Sequence, residues 1–376
     1  MPKKIVDLGG GRYRLYVSLG YDTKGSQIYR TKTISAKNVS SAQKEWSAYK
    51  ASLGKIKTKT MTLHDFYNYY TEHHQKKNLA LGTIERNEFL FRKIDSILGH
   101  KPIDKIEPEN LLTFLELLRS GGEKQNSIVK HYDLLHTIFS KAIQWRLIND
   151  NPCDHIDKPK KQKVIKPIFE IDMCKQFLSM VDAKADFEWK CCVYLALYTG
   201  LRKGELFGLQ FKHLDIKNNS LLIEQEVLKS SNGSYLKHST KTYKDRIVSF
   251  PVIVTKMILK RKKQVETRIK LLGDSWKGSK DIEENFIFCS DDGRMNYGIR
   301  FNRWLTKFLS DNHFPHITPH SFRHMTATYL ISAGVDLQTV SGKLGHNAMT
   351  TTARQYSHLL LKSEQGTSQI MQSLMQ

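Results

Sequence analysis

At 376 residues the chain exceeds what one hydrophobic core usually organises, so two or three domains are expected. Hydrophobic residues make up 40% and charged residues 26%, ordinary values for a folded protein that exclude a disordered chain. Lys and Arg number 59 against 37 Asp and Glu, a formal charge of +22 that points to a polyanionic partner, nucleic acid first, without separating DNA from RNA.

The cysteines Cys153, Cys174, Cys191, Cys192 and Cys289 are odd in number and show no C-x-x-C spacing. That pattern speaks against a disulfide framework and a zinc ribbon, and it fits a reducing cytosol. Met1 to Gly10 holds two lysines but no apolar h-region, and no apolar run is long enough to span a membrane, so a cytoplasmic protein is expected.

In chain order, the first sixty residues carry 13 Lys or Arg against 3 Asp or Glu. From Arg12 to Leu19 the residues alternate, placing Tyr13, Leu15, Val17 and Leu19 on one face and Arg12, Arg14, Tyr16 and Ser18 on the other. Gly25 marks a turn, and a second strand over Gln27 to Ile34 puts Arg30 and Lys32 on a common face. A helix is expected to start near Ser40, where Ser40 and Gln43 have capping-box spacing, with Ala42, Trp46, Tyr49 and Leu53 as its apolar stripe. This is a small basic α/β module over residues 1–60. Its sheet has the form of a groove reader, with Arg12, Arg14, Arg30 and Lys32 as DNA contacts, although a solvated basic face has the same composition.

From Met61 to Ile156 the period becomes helical, with Thr83 as a cap, Pro108 at a first helical position and a break at Gly121 and Gly122. The last helix of this all-α domain, Ser127 to Trp145, carries Ile128, Leu135, Ile138, Phe139, Ala142 and Trp145 as a core stripe. Residues 157–167, DKPKKQKVIKP, form a basic connector in which Lys160 and Lys161 can lie along phosphates. Beyond it, residues 168–376 read as a mixed, mainly α domain with a small β-sheet: an apolar helix ending at Gly200, strands near Leu221–Glu226 and Arg246–Phe250, then helices to the end.

Four segments of this last region carry chemistry. In TGLRKGEL, Gly200 ends one helix and Glu205 enters the next, so Arg202 sits at a helix junction with its planar fork aimed. In STKTYKDRIVSF, a turn at Asn232 and Gly233 and a return strand from Arg246 suggest a hairpin. Lys241 can there swing into a site as a mobile acid, with Lys237 and Lys244 as rivals. In TPHSFRHMTATYLISAG, Pro319 opens a helix whose buried face is Phe322, Met325, Leu330 and Ile331. His320 and Arg323 then share a face near the positive end of the helix dipole, a place to hold a phosphate. Metal ligation by His316, His320 and His324 is disfavoured, since H-E-x-x-H is absent and no carboxylate lies beside them. In KLGHNAMTTTARQYSH, His346 follows a helix ending at Gly345, and Tyr356 stands among small polar residues. Alone, each of these is more often a surface or packing residue.

In this order and at these separations, the set resembles the tyrosine recombinase family from about Ile165 onward. The resemblance implies a catalytic set of Arg202, Lys241, His320, Arg323, His346 and Tyr356, with Glu205 as the acidic companion of the first arginine. The upstream parts are similar to the arm-binding and core-binding domains of phage and conjugative-transposon integrases. The family implies cleavage and rejoining of double-stranded DNA at attachment sites through a 3′-phosphotyrosine, with no nucleotide cofactor and no metal. It also implies a homo-tetramer on two duplexes, with accessory excision or bending factors as possible partners. The tail from Ser363 to Gln376, with Ile370, Met371 and Leu374 as an apolar stripe, would pack on a neighbour or on its own chain. A type IB topoisomerase, a non-catalytic DNA-binding regulator and an RNA-binding protein are the alternative readings.

Overall fold

The structure of the protein is a computed structural model that describes residues 4–21, 27–52, 61–162, 167–231, 233–238, 245–345 and 375. The chain divides into two compact units, one holding residues 1–77 and 89–160, the other 78–88 and 161–376.

In the first unit, strands β1 (Ile5–Asp7), β2 (Arg12–Tyr21) and β3 (Gln27–Ser35) form an antiparallel sheet in chain order. The alternation expected in β2 is present, with Tyr13, Leu15 and Val17 buried. They face helix α1 (Val39–Ser52), whose Ala42 is fully buried and whose Trp46 Nε1 donates to the Tyr16 carbonyl at 2.8 Å. The expected Ser40–Gln43 capping box is corrected. Asn38 caps the helix, its Oδ1 accepting from the Ser41 amide at 2.9 Å, because an Asx oxygen two residues upstream reaches the first-turn amides.

The register separates the four expected basic contacts. Arg12 and Arg14 lie opposite Ser35 and Thr33, whereas Arg30 and Lys32 lie opposite Val17 and Leu15. Directly paired residues share a face. Arg12 and Arg14 therefore stand on the open face, and Arg30 and Lys32 on the face that α1 covers, where the Lys32 Nζ lies 5.5 Å from the Tyr49 ring centroid.

The same unit contains a helical bundle. Helix α2 (Leu63–Tyr70) runs through a π-helical turn, Thr71–Gln75, into α3 (Lys76–Asn78); α4 (Leu81–Leu98), which belongs to this unit from Phe89 on, α5 (Pro108–Ser120) and α6 (Gln125–Gln144) follow. Pro108 is the first residue of α5, and Gly122 (φ +77°) follows its end. Thr83 is not the cap of α4. It lies in the first turn and donates its amide to the Ala80 carbonyl at 2.8 Å, so the helix starts earlier than its hydroxyl suggested. Phe66, Ile94, Phe114, Ile138 and Phe139 are fully buried in this core. The basic connector is exposed at Lys160 and Lys161 but not loose at its start: Gln125 Nε2 donates to the Lys160 carbonyl at 2.9 Å, and Lys158 pairs with Asp133 at 2.6 Å.

The second unit is mainly helical around one large core. Helices α7 (Ile171–Lys184), α8 (Phe187–Thr199) and α9 (Lys203–Gly208) precede strands β4 (Leu214–Asp215), β5 (Ser220–Ile223), β6 (Gln225–Ser230), β7 (Gly233–His238) and β8 (Arg246–Ser249). Helices α10 (Val252–Leu272), α11 (Ile299–Asp311), α12 (Pro319–Ser332) and α13 (Leu337–Leu344) complete it. Helix α8 is apolar on nearly every side, as a helix with neighbours all round must be, and it packs on both α10 and α12.

Two strand expectations are corrected. The single strand expected over Leu221–Glu226 is two strands broken at Glu224, whose carboxylate meets the His213 Nε2 at 3.0 Å. The strand from Arg246 does not return along the Gly233 hairpin. β6 pairs with β7 across that turn, and β8 pairs with β5 in a separate sheet of order β4-β5-β8. No described helix is long and apolar enough to cross a membrane.

Candidate active site

The site is built around the turn that ends α8. Gly200 sits in the left-handed region (φ +66°), and a Cβ there would fall 2.6 Å from Leu344 Cδ2 and 3.2 Å from Thr326 Cγ2. Only glycine takes both the conformation and the close approach without strain. The turn makes Arg202 the N-cap of α9. Its amide donates to Glu205 Oε2 at 2.9 Å, its Nη1 to Glu205 Oε1 at 2.8 Å, and its Nη2 to the Gly345 carbonyl at 3.1 Å. The Arg202 side chain remains 32% exposed, leaving further N–H donors of a fixed fork open to an anion.

Glu205 is buried at 6% exposure and serves a second guanidinium. Arg246, the first residue of β8, donates from Nη2 to Glu205 Oε2 at 2.7 Å and from Nη1 to Oε1 at 3.1 Å, a bidentate pair. Its Nε donates to the Lys343 carbonyl at 3.1 Å. Burial alone would push the Glu205 carboxyl up. The hydrogen bond and charge of Arg246, then the charge of Arg202, override that and hold it below the usual carboxylate range. Gly345 (φ +67°) lets the end of α13 close on Arg246, since a Cβ there would lie 2.8 Å from Arg246 Nη1. Just before it, the Lys343 Nζ donates to the Ser249 carbonyl at 2.8 Å, and burial pushes its pKa down.

Arg323 arrives from α12, which starts at Pro319 as expected, with the Thr318 amide donating to Ser321 Oγ at 3.2 Å. Arg323 is only 2% exposed, and its Nη1 donates to the Gly200 carbonyl at 3.0 Å. Thr326 Oγ1 fixes the helix to α8 by donating to the Leu197 carbonyl at 2.6 Å. Arg323 is therefore anchored to the turn that carries Arg202 two residues on. His320 is exposed one turn before Arg323, its ring edge-on to His324 with centroids 4.7 Å apart. Among the described residues, no three His, Cys, Asp or Glu side chains are grouped to hold a metal.

Of the residues expected from sequence, Arg202, Glu205 and Arg323 are brought together. Lys241, His346 and Tyr356 lie outside the described residues, as do the tail from Ser363 apart from Met375, Gly25 and Asn232. His346 is the residue after Gly345 in the sequence. Arg246 was missed, and a signal for it existed. On β8 the register sets Arg246 and Val248 opposite Ile223 and Leu221, all on the inward face, while Ile247 is 71% exposed. An arginine on the core side of a strand whose isoleucine faces out needs a buried anion.

Guanidiniums converging on one turn from separate elements, steadied by a buried carboxylate, suit an arrangement that gathers a phosphoryl group. The unit that holds them has the tyrosine recombinase catalytic fold. The chain belongs to the phage integrase family: residues 169–362 match the Phage integrase family and residues 62–118 match Phage integrase, N-terminal SAM-like domain. It is 27% identical over 374 residues to the ICEBs1 integrase of Bacillus subtilis (strain 168), covering 94% of this chain and 95% of that one. It is 25% identical to the transposase from transposon Tn916 of Enterococcus faecalis, over 71% of this chain and 66% of that one. Among solved structures, the Tn1549 transposon integrase in complex with transposon right end DNA superposes with a TM-score of 0.69 at 23% identity, covering 82% of this chain and 99% of that one. A lambda integrase dimer bound to a COC′ core site gives 0.57 at 16% identity, with 94% of each chain covered. These likenesses are of fold.

Proposed function

We propose that this chain, a site-specific tyrosine recombinase by family, integrates a mobile element by attack of the Tyr356 hydroxyl oxygen on a scissile DNA phosphate. The bond to the 5′-oxygen breaks, a 3′-phosphotyrosine forms, and Lys241 gives the departing 5′-hydroxyl its proton. Attack by a 5′-hydroxyl of another strand reverses the step, so bond energy is conserved and no nucleotide cofactor is required. Arg202 and Arg323 hold the non-bridging oxygens, and His320 and His346 donate further hydrogen bonds as charge develops there. A tyrosine pKa near 10 leaves little phenolate at neutral pH, and His320 is the base we assign to its proton.

The convergence of Arg202 and Arg323 on the Gly200 turn carries this reading. In it, residues 1–60 bind arm-type DNA through Arg12, Arg14, Arg30 and Lys32, residues 61–156 bind the core site, and residues 157–167 follow the backbone through Lys160 and Lys161. The open face of the sheet makes Arg12 and Arg14 the stronger pair of the four. Exchange of four strands calls for a tetramer on two duplexes, an assembly that a lambda integrase tetramer bound to a Holliday junction exemplifies. The reaction takes place on DNA in the bacterial cytoplasm.

The test expresses the chain and its Tyr356→Phe variant in cells, denatures them, and sequences the DNA left covalently attached. Adducts at a few fixed sites from the unaltered chain alone are expected. Scattered adducts would mark a topoisomerase, and DNA binding without adducts a non-catalytic regulator. Arg202→Ala should bind DNA and lose nearly all cleavage, since removing one such donor costs about 2.7–4 kcal/mol of transition-state stabilisation.

A further inference from the structure

Helix α10 spans 21 residues and turns two kinds of cation in different directions. Those facing the body of the unit are matched. Arg261 pairs with Glu188 at 3.2 Å, Arg268 with Asp291 at 3.4 Å, and Lys262 with Glu283. Lys256, Lys260, Lys263 and Lys270 are exposed, and none of them has an ion pair with a described carboxylate. At 100° per residue these four fall within about 80° of arc, on a single stripe. Thr267 occupies the remaining position of that stripe, its Oγ1 donating to the Lys263 carbonyl at 2.9 Å. Glu266 flanks the stripe on its half-buried side.

A solvated helix face ordinarily mixes signs, because Glu and Lys four apart attract and like charges repel by a few tenths of a kcal/mol per pair. Here Lys256 and Lys260 are four apart, Lys260 and Lys263 three, and no acid lies between them on the stripe. The Lys260 ammonium also lies 4.4 Å from the Phe187 ring centroid, a cation–π contact. From Lys256 to Lys270 the stripe runs about 21 Å, the axial length of about six phosphates on one strand of B-DNA.

We propose that the outward face of α10 is a second duplex-DNA surface, on which Lys256, Lys260, Lys263 and Lys270 take backbone phosphates outside the segment held at Arg202 and Arg323. The proposal rests on the DNA-recombinase reading above. It requires no base contact, so binding there is indifferent to sequence and strongly sensitive to salt.

The test measures the affinity of the full chain for a mixed-sequence linear duplex several helical turns long across a salt series. It compares the unaltered chain with a variant carrying Lys256→Gln, Lys260→Gln, Lys263→Gln and Lys270→Gln. Glutamine keeps helix propensity close to that of lysine. A control variant removes the same charge elsewhere, with Lys175→Gln, Lys184→Gln, Lys280→Gln and Lys307→Gln, all exposed and each hydrogen-bonded to a neighbour. The stripe variant should lose about 0.9 from the log–log salt slope for each lysine in contact, up to about 3.6, and the control much less. A loss that grows with duplex length assigns the phosphates to flanks of the bound duplex. Loss of bridging between two labelled duplexes assigns them to a separate one, and either outcome supports the surface. An unchanged slope, or an equal loss in the control, overturns it. If the unaltered chain shows no salt-dependent duplex binding at all, the DNA-recombinase reading itself fails.

Discussion

Replacing Glu205 by glutamine preserves the shape of the side chain and removes the anion that Arg202 and Arg246 share. Both guanidiniums would remain where backbone contacts hold them, Arg202 on the Gly345 carbonyl and Arg246 on that of Lys343, now facing a neutral amide. The Arg246 side chain is 14% exposed, so water compensates little. Breaking a buried ion pair from one side costs about 3–5 kcal/mol, because a buried charge is left unpaired. For a unit of this size each kcal/mol lowers the melting temperature by about 2–4 °C, so Glu205→Gln should melt about 6–20 °C below the unaltered chain. The acid range adds a second arm. Glu205 ionises more readily folded than unfolded, so its contribution is complete above the ordinary glutamate value near 4.3 and is lost as the pH falls through the depressed folded value. The stability gap between the two proteins, measured by denaturant unfolding, should therefore be widest at neutral pH and close in acid. A gap under about 1 kcal/mol at neutral pH, or one that persists unchanged in acid, would refute the argument that this carboxylate anchors both arginines.

Gly200→Ala forces a left-handed alanine at about 1–2 kcal/mol and presses its methyl on Leu344 and Thr326. The denaturant midpoint should fall, and DNA cleavage should fall further than stability does, since Arg202 and Arg323 both take position from this turn; equal losses would argue against that role. The five cysteines are buried, and burial pushes every one of their thiols up, Cys153 and Cys191 to about 12, so a thiol reagent at mildly alkaline pH should label none until the chain unfolds. Rapid native labelling of Cys191 or Cys192 would contradict the packing of α8. Arg12→Gln and Arg14→Gln should each lower the salt slope of DNA binding by about 0.9, whereas Arg30→Gln and Lys32→Gln, on the face that α1 covers, should lower it less. Equal effects from the two pairs would mean that the open face is not the DNA face.

The parts of the fold that were legible are those where one face is buried against another element. β2 alternates because α1 covers one side of it, and α6 shows its stripe because the bundle lies on that side alone. β7 was illegible for the converse reason. No residue between Gly233 and His238 is fully buried, so nothing imposed a period of two, and its place was assigned to the strand from Arg246. The caps failed at a finer scale. Asn38, Ser40 and Ser41 all bear hydroxyl or amide oxygens suited to capping, and the choice among them depends on where the backbone enters the helix, which sequence spacing leaves open.

The site divides in the same way. Arg202, Glu205 and Arg323 each sit in a short local pattern, a glycine-ended helix, an N3 acid and a proline-started helix, but it is their order along the chain, through the resemblance to the tyrosine recombinases, that names them. What fixes them in space has no such pattern, since the acceptors that aim the arginines are the main-chain carbonyls of Gly200, Lys343 and Gly345. Any residue type supplies a carbonyl, so these contacts leave no trace in side-chain identity except the glycines that permit the close approach. Arg246 stands 41 residues from the carboxylate it binds, and its only local mark is the inverted polarity of β8. That inversion demands a buried anion, and Glu205, as a buried acid, demands cations. The two demands are complementary, and they join the two segments once the burial of Glu205 and the register of β8 are known.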